Sequence, residues 1–132
     1  MSKECLLPFK CPCSITLLGG SNSGKSTLTK KILELAKYTF DKKVERVIYC
    51  YATWQPLYDI MEKTISNIMF HEGLPREQDL YSWSEGIDST STIVLCFDDL
   101  MMELINSSTI LKLYATLSHH RNITIVNQMQ SA

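Results

Sequence analysis

The sequence predicts an α/β fold in which helices lie on both faces of a mostly parallel β-sheet. Short apolar runs alternate along the chain with segments whose apolar residues recur at helical spacing. Residues 93–97 are continuously apolar, which is typical of a central strand in a parallel sheet. A glycine-rich loop joins the first apolar run to the first helical segment, in the order strand, loop, helix. These observations together favour a three-layer sandwich.

Length and composition are those of an ordinary globular protein. The chain has 132 residues, of which 45% are hydrophobic and 20% charged, so we expect one domain over residues 1–132 with its core at residues 9–130. A net charge of −1 argues against a nucleic-acid footprint over the whole domain. Six basic residues form a cluster in sequence that is read as a solvated face, with a local basic patch as the alternative: Lys30, Lys31, Lys37, Lys42, Lys43 and Arg46.

The first strand and helix flank a motif of the form G-x-x-x-x-G-K-[ST]. Residues 14–18 predict a short buried strand, and residues 28–36 carry apolar side chains on one helical face, namely Leu28, Ile32, Leu35 and Ala36. Glycine allows positive φ angles and a close approach of the backbone to phosphate. The following helix directs its N-terminal N–H groups and its dipole at the same anion. The sequence therefore predicts a site for a nucleoside triphosphate, and a chance glycine-rich turn is the disfavoured alternative.

The residues of this loop have separate expected roles. Lys25 is expected to reach the β- and γ-phosphates of ATP and to act in catalysis, and Ser26 is expected to coordinate Mg²⁺. The other residues expected to contact ATP are Gly19, Gly20, Ser21, Asn22, Ser23, Gly24 and Thr27. A GTPase would carry an N-K-x-D motif and an ABC-type ATPase an L-S-G-G-Q signature, and the sequence contains neither.

The middle and end of the chain continue the alternation of strands and helices. Residues 44–51 predict a second strand, and residues 68–75 a short extended piece that is broken at Gly73 and Pro75. Between them an amphipathic helix is predicted to begin near Pro56, with Leu57, Ile60, Met61, Ile65 and Ile68 on its apolar face. Residues 76–92 are polar, and residues 84–92 predict a surface loop. A helix with Ile110, Leu111, Tyr114 and Leu117 on one face and a strand at residues 123–126 complete the pattern.

Two acids follow the most apolar strand. An ATPase with this loop needs an acid at the carboxyl end of a nearby strand to hold Mg²⁺ or its water. Asp98 is predicted to be that metal-side acid, and Asp99 is predicted to orient or deprotonate the attacking water, with Glu103 as a weaker candidate. Taken alone, the pair would be read as a strand-ending turn.

The segment His119-His120-Arg121 precedes the last strand. A plain polar loop is its default interpretation. Such a loop at the edge of a nucleotide site is also a place from which Arg121 could reach a γ-phosphate in its own or a neighbouring subunit. Trp54 is expected to pack, with stacking on a base as the alternative.

The five cysteines are interpreted as reduced thiols. Cys50 and Cys96 lie inside apolar strands and are expected in the core. Cys11 and Cys13 are separated by one residue rather than two, and a zinc site completed by His119 and His120 is a disfavoured alternative. No apolar segment approaches the ~20 residues of a membrane span, and no signal-peptide core is found at the start, so we expect neither a membrane protein nor a secreted one.

Five segments, taken in order, resemble the genome-packaging ATPases of the FtsK–HerA superfamily. These are "GGSNSGKST", "RVIYCYATWQPLY", "FHEGLP", "LCFDDLM" and "SHHRNITIV", and the resemblance covers residues 9–130. The chain is most similar to the branch found in poxviruses and other large DNA viruses, adintovirus-like viruses and Maverick/Polinton elements. The resemblance implies a RecA-like ATPase that assembles as a homo-oligomeric ring and drives double-stranded DNA into a capsid. It also implies a location in the host cytoplasm, the nucleus or the virion.

The resemblance further implies a sensor glutamine at the end of the last strand. That residue is Gln130 when counted without gaps, and Gln128 fits with a two-residue deletion. Asn127 and Gln128 interrupt an otherwise apolar run, and the family's further strands have no counterpart before Ala132. We therefore expect a sheet that is incomplete at the C-terminus, as in a truncated copy. The alternatives for function are a nucleotide-binding remnant without turnover and a P-loop kinase, although the arginine-rich lid of a kinase is not found in the sequence.

Overall fold

The chain folds around one parallel β-sheet. The computed structural model describes residues 8–20, 24–100 and 108–130. Its five strands are β1 (Ser14–Gly19), β2 (Lys43–Tyr51), β3 (Ile68–Glu72), β4 (Ser91–Asp98) and β5 (Ile123–Gln130). Its helices are α1 (Lys25–Glu34), α2 (Ala36–Thr39), α3 (Pro56–Thr64), α4 (Glu77–Trp83) and α5 (Ser108–His120). All strand pairs are parallel, so the α/β class predicted from the sequence is confirmed.

Helices cover both faces of the sheet and create two hydrophobic cores. On one face, Leu33 of α1 and Met61 of α3 pack against apolar residues of β2, β4 and β5. On the other face, Leu80 of α4 and Leu117 of α5 pack against the opposite side chains of the same strands. Because successive side chains of a strand point to opposite faces, the apolar runs of β2 and β4 supply both cores at once. The result is the three-layer sandwich that the alternating pattern predicts.

The strand order is β1-β5-β4-β2-β3. The last strand, β5, therefore lies between β1 and β4. Its residue Gln128 pairs with Leu17 of β1 on one side and with Asp98 of β4 on the other. The prediction ended this strand at residue 126, whereas β5 continues to Gln130. It continues through Asn127 and Gln128 because the ladders on both sides pair with its backbone, and such pairing does not depend on apolar side chains.

The buried faces of α1 and α3 differ from the predicted ones. In α1 the buried residues are Thr29 and Leu33, whereas Leu28 is 49% and Leu35 50% exposed. Thr29 can be buried because its hydroxyl donates a hydrogen bond to the Lys25 carbonyl within the helix, at 3.0 Å. The helix α3 begins at Pro56 as predicted, but it buries Tyr58 and Met61 and leaves Ile60 half exposed.

Two segments for which no helix was predicted are helical. Residues 77–83 form α4, and the Asp79 carboxylate accepts a hydrogen bond from the Arg76 backbone N–H at its start, at 2.9 Å. Two turns are too short to show a clear apolar period, so the polar composition was misleading. His119 and His120 form the last turn of α5 and not a loop. None of the helices in the described ranges is long and apolar enough to cross a bilayer.

Candidate nucleotide and metal site

The carboxyl ends of β1, β5 and β4 meet the start of α1 at one edge of the sheet. β1 ends at Gly19, and α1 begins after Gly24, whose φ of +91° lies in the left-handed region that favours glycine. Among the described residues, and apart from the chain neighbours of each glycine, no atom lies within 4 Å of the position that a Cβ would occupy at Gly20 or Gly24. Ser21, Asn22 and Ser23 lie outside the described residues.

The first turn of α1 places the motif lysine and serine at this edge. The Lys25 ammonium donates a hydrogen bond to the Gly19 carbonyl at 2.8 Å, so the side chain reaches back across the loop to the end of β1. The Ser26 hydroxyl lies 3.4 Å from Oδ2 of Asp98. Thr27 is exposed on the same turn. The structure thus brings together the lysine, the serine and the first acid.

Asp98 is a buried acid with crowded hydrogen bonding on one oxygen. Asp98 is the last residue of β4 and is 4% exposed. Its Oδ2 accepts hydrogen bonds from the phenol of Tyr49 at 3.0 Å and the phenol of Tyr58 at 2.5 Å, in addition to the contact with Ser26. Among the described residues, no hydrogen bond reaches its Oδ1, and no lysine, arginine or histidine forms an ion pair with it.

Gln128 extends this group of hydrogen bonds. It is fully buried on β5, directly beside Asp98 in the parallel register, and its Nε2 donates to the Tyr49 hydroxyl at 2.7 Å. Its Oε1 has no partner in the part of the chain that the structure describes. Burial, followed by the charge of Asp98, raises the pKa of Tyr49. Burial and the hydrogen bond to Asp98 raise the pKa of Tyr58. Both phenols therefore stay protonated and act as donors.

Asp99 lies outside the buried group. It is exposed, and its φ of +57° places it in the left-handed region, which aspartate tolerates better than most residues. Its backbone N–H donates to the Gln128 carbonyl at 3.1 Å, which fixes this turn to the end of β5. The second acid is therefore held at the same edge with its carboxylate accessible. Glu103 lies outside the described residues.

The donor set suits a hard divalent cation. A serine hydroxyl and a carboxylate that has one oxygen without a described partner are the ligand types that Mg²⁺ takes from proteins at nucleotide sites, with phosphate oxygens and water completing its shell. Ser26 and Asp98 thus fit the metal role expected of them.

Gln130 is the other glutamine of β5. Its backbone pairs with Gly19, at the start of the loop, while Gln128 pairs with Leu17 on that side and Asp98 on the other. Gln128 thus lies between β1 and β4, whereas Gln130 pairs with β1 two residues beyond the last register pair with β4, and the sensor role stays a prediction for each.

Arg121 is not brought to this site. It lies before β5, at the amino ends of the strands, and the eight residues of β5 put roughly 25 Å between it and the carboxyl edge. Its Nε donates to the Ser84 hydroxyl at 2.9 Å and its guanidinium to the Tyr81 carbonyl at 3.1 Å, while it lies 5.0 Å from the centre of the Tyr81 ring. The expectation of a loop at the edge of the chain's own nucleotide site is therefore wrong. A contact with a neighbouring subunit stays a prediction.

Trp54 and the cysteines are the remaining residues for which the sequence left a binding role as an alternative. The Trp54 ring lies edge-on to Tyr58 at 5.3 Å and to Phe70 at 4.8 Å, and its Nε1 donates to Asp59 at 3.2 Å. Its 40% exposure leaves part of the ring open to solvent. Four cysteines are free thiols, namely Cys11, Cys13, Cys50 and Cys96. Across residues 8–20, 24–100 and 108–130, no three His, Cys, Asp or Glu side chains are grouped as a metal site.

Two members of the site were not predicted from the sequence. The apolar pattern places Tyr49 in a strand without a site role, and it does not include Tyr58 in the predicted apolar face of α3. A usable signal was present, because a tyrosine inside an otherwise apolar strand needs a partner for its hydroxyl when it is buried. An acceptor was also in view, because the acid Asp98 follows the neighbouring strand at the same end of the sheet.

Comparison with known proteins supports the fold. No family profile and no curated protein matches the sequence. Among solved structures, the chain is similar to Thermomonospora curvata EccC, in a structure of its ATPases 2 and 3 in complex with a signal sequence peptide. The TM-score is 0.53 at 15% identity, over 91% of this chain and 25% of that chain. The chain thus spans about a quarter of EccC and shares the fold of part of an ATPase.

Proposed function

We propose that this chain is an ATP-binding and ATP-hydrolysing domain that uses Mg²⁺. The observation that carries the proposal is the meeting of Lys25, Ser26 and Asp98 at one edge of a parallel sheet, beside a glycine in the left-handed conformation. A chance glycine-rich turn would not bring the serine after the lysine to the acid of a strand 72 residues away. The similarity in fold to part of an ATPase supports the same class.

Each residue has a role that follows from its position. The α1 N-terminus and the loop before it would bind the phosphates through backbone N–H groups. Lys25 would exchange the Gly19 carbonyl for the β- and γ-phosphate oxygens, and Ser26 and Asp98 would hold Mg²⁺, which neutralises charge that develops on those phosphates. Asp99, exposed beside Asp98, would orient the attacking water and take its proton.

The finer assignment is a motor domain of the viral DNA-packaging type. It rests on the resemblance of the five segments to the FtsK–HerA packaging ATPases. Under this assignment the domain acts in a homo-oligomeric ring on double-stranded DNA, Gln128 or Gln130 senses the γ-phosphate, and Arg121 acts across a subunit interface. The amino-edge position of Arg121 makes the interface role dependent on how subunits contact one another.

Nucleotide binding is the first test. We expect Lys25→Ala to remove most of the affinity for MgATP in titration calorimetry, because Lys25 is the loop's own cation for the β- and γ-phosphates. Lys31→Ala is the matched control, since it removes an exposed lysine from the same helix. Equal affinities for parent and Lys25→Ala would refute the site.

Turnover is the second test, and it separates the two alternatives. If the parent releases phosphate from MgATP and the Asp99→Asn variant does not, the result supports an ATPase. Tight binding without release by the parent would indicate the nucleotide-binding remnant, and transfer of phosphate to a small-molecule acceptor would indicate the kinase.

A further inference from the structure

Two phenols converge on a single carboxylate oxygen in the interior of the protein. Tyr49 comes from β2 and Tyr58 from the first turn of α3, and both donate to Oδ2 of Asp98. Both tyrosines are buried, with 0% and 1% exposure. A buried carboxylate without a described cation beside it needs donors, and here they come from two different elements.

The number of hydrogens that each group can donate determines the direction of these hydrogen bonds. The Gln128 amide nitrogen can only donate, so the Tyr49 hydroxyl accepts from it, and the single proton of that hydroxyl is left for Asp98. Tyr58 has one proton as well, and Asp98 is its acceptor at 2.5 Å. Neither phenol can serve another acceptor while the carboxylate is in place.

The Tyr58 ring is held by its neighbours rather than by its hydroxyl alone. It packs against the rings of Tyr49 at 5.1 Å, Trp54 at 5.3 Å and Phe70 at 5.4 Å. The hydroxyl is therefore presented at a fixed point by an aromatic cluster that would persist if the oxygen were removed. This matters for a test, because a change to phenylalanine removes one hydrogen bond and keeps the packing.

We propose that Tyr49 and Tyr58 are positioning residues that hold the Asp98 carboxylate in the orientation that receives Mg²⁺. By occupying Oδ2 from two sides, they stop the carboxylate from rotating and reserve Oδ1, which has no described partner, for the metal or its water. They touch neither the nucleotide nor the reacting atoms. The inference rests on the proposed function, because it assigns the orientation of that site's metal-side acid.

The experiment compares nucleotide binding with and without Mg²⁺ in phenylalanine variants. The probe is a non-hydrolysable ATP analogue, measured by titration calorimetry in MgCl₂ and again in EDTA. We expect Tyr58→Phe and Tyr49→Phe each to weaken the Mg²⁺-dependent affinity by about 10–100-fold, the usual cost of losing an outer-shell partner of a metal ligand. The affinity in EDTA should be unchanged, since the phenols do not contact phosphate.

Tyr114→Phe is the matched control. Tyr114 is also buried and its hydroxyl also donates a hydrogen bond, but to the Pro75 carbonyl at 3.0 Å, in the core on the opposite face of the sheet. It therefore reports what the loss of a buried phenol does to the protein in general. Of the three variants, only Tyr114→Phe should keep the parental ratio of the affinity in MgCl₂ to the affinity in EDTA.

The outcomes distinguish the positioning role of the two tyrosines from the proposed nucleotide-binding function. If the parent does not bind the analogue, the proposed function and this inference both fall. If the parent binds with Mg²⁺ dependence but both tyrosine variants keep the parental ratio, the positioning role is refuted and the nucleotide site stands. An equal loss in MgCl₂ and EDTA would mean a general structural effect and would also refute the role. Should Tyr58→Phe fail to fold, Tyr49→Phe carries the same comparison.

Discussion

Replacing Ser26 with alanine should separate stability from metal-dependent binding. The Ser26 hydroxyl lies 3.4 Å from Asp98, at the long limit of a hydrogen bond, so its loss should cost less than about 0.5 kcal/mol of stability. Alanine is also favoured over serine inside a helix by about 0.5 kcal/mol. The two effects oppose each other, and we expect the free energy of unfolding to stay within about 0.5 kcal/mol of the parent.

The effect on MgATP should be much larger. Under the proposed function Ser26 is a ligand of the metal, and removing a ligand should cost at least the 10–100-fold typical of losing an outer-shell partner. That range corresponds to about 1.4–2.7 kcal/mol of binding free energy. Binding of ATP in EDTA should be preserved, because the backbone of the loop and Lys25 supply the contacts with phosphate.

The assay is titration calorimetry with ATP in MgCl₂ and in EDTA, alongside urea unfolding of the same preparations. Ser26→Thr is the matched variant, since it keeps a hydroxyl at the same helix position and should restore Mg²⁺-dependent affinity. A Ser26→Ala protein that binds MgATP as tightly as the parent would refute the metal role. If Ser26→Ala instead lowers the free energy of unfolding by several kcal/mol, the 3.4 Å contact between Ser26 and Asp98 stabilises the fold.

Three further changes test other parts of the site and its surroundings. Asp99→Asn should keep the affinity for MgATP and lower kcat by at least ~100-fold in a phosphate-release assay, and unchanged turnover would move the water-activating role elsewhere. Arg121→Ala should lower the free energy of unfolding by about 1–2 kcal/mol in urea, because it loses its hydrogen bonds to Tyr81 of α4 and to Ser84 just after it, while MgATP affinity stays parental. Burial, followed by the neighbouring Cys11, raises the pKa of Cys13 from 9.0 to about 11, so its thiolate is scarcer at pH 8. Iodoacetamide should then label Cys13 about 100-fold more slowly in the native protein than in urea, with the rate rising towards pH 11, and equal rates in peptide mass spectrometry would contradict this.

The sequence predicted the groups whose spacing is dictated by chemistry. Lys25 and Ser26 were selected by their spacing from the glycines, and Asp98 by its place after the most apolar strand, and the structure brings all three to the carboxyl edge of the sheet. The helix faces were harder to predict. Thr29 is buried in α1 and Leu28 is not, because a hydroxyl bonded within its own helix can enter the core while the helix orientation is set by the strands beneath it.

Tyr58 and Arg121 show two other limits. The role of Tyr58 depends on which side of α3 faces the end of β4, and no local pattern determines that. Arg121 could have been placed from topology alone. Residues that precede a parallel strand lie at the edge opposite to residues that follow one, so an arginine directly before β5 had to lie far from acids directly after β4.

The position of β5 has a consequence for how this protein is made. During synthesis β1 leaves the ribosome first, yet it pairs with neither β2 nor β4, and its partner β5 follows it by more than a hundred residues. Until β5 enters between them, no strand pairing joins β1 to the strands β4, β2 and β3, and the ladder edges of both parts of the sheet are exposed. Loop closure over so long a separation is slow, and it completes the sheet and the site in one step. A nascent chain that stops before residue 123 should therefore carry every motif residue of the nucleotide loop and still fail to retain ATP.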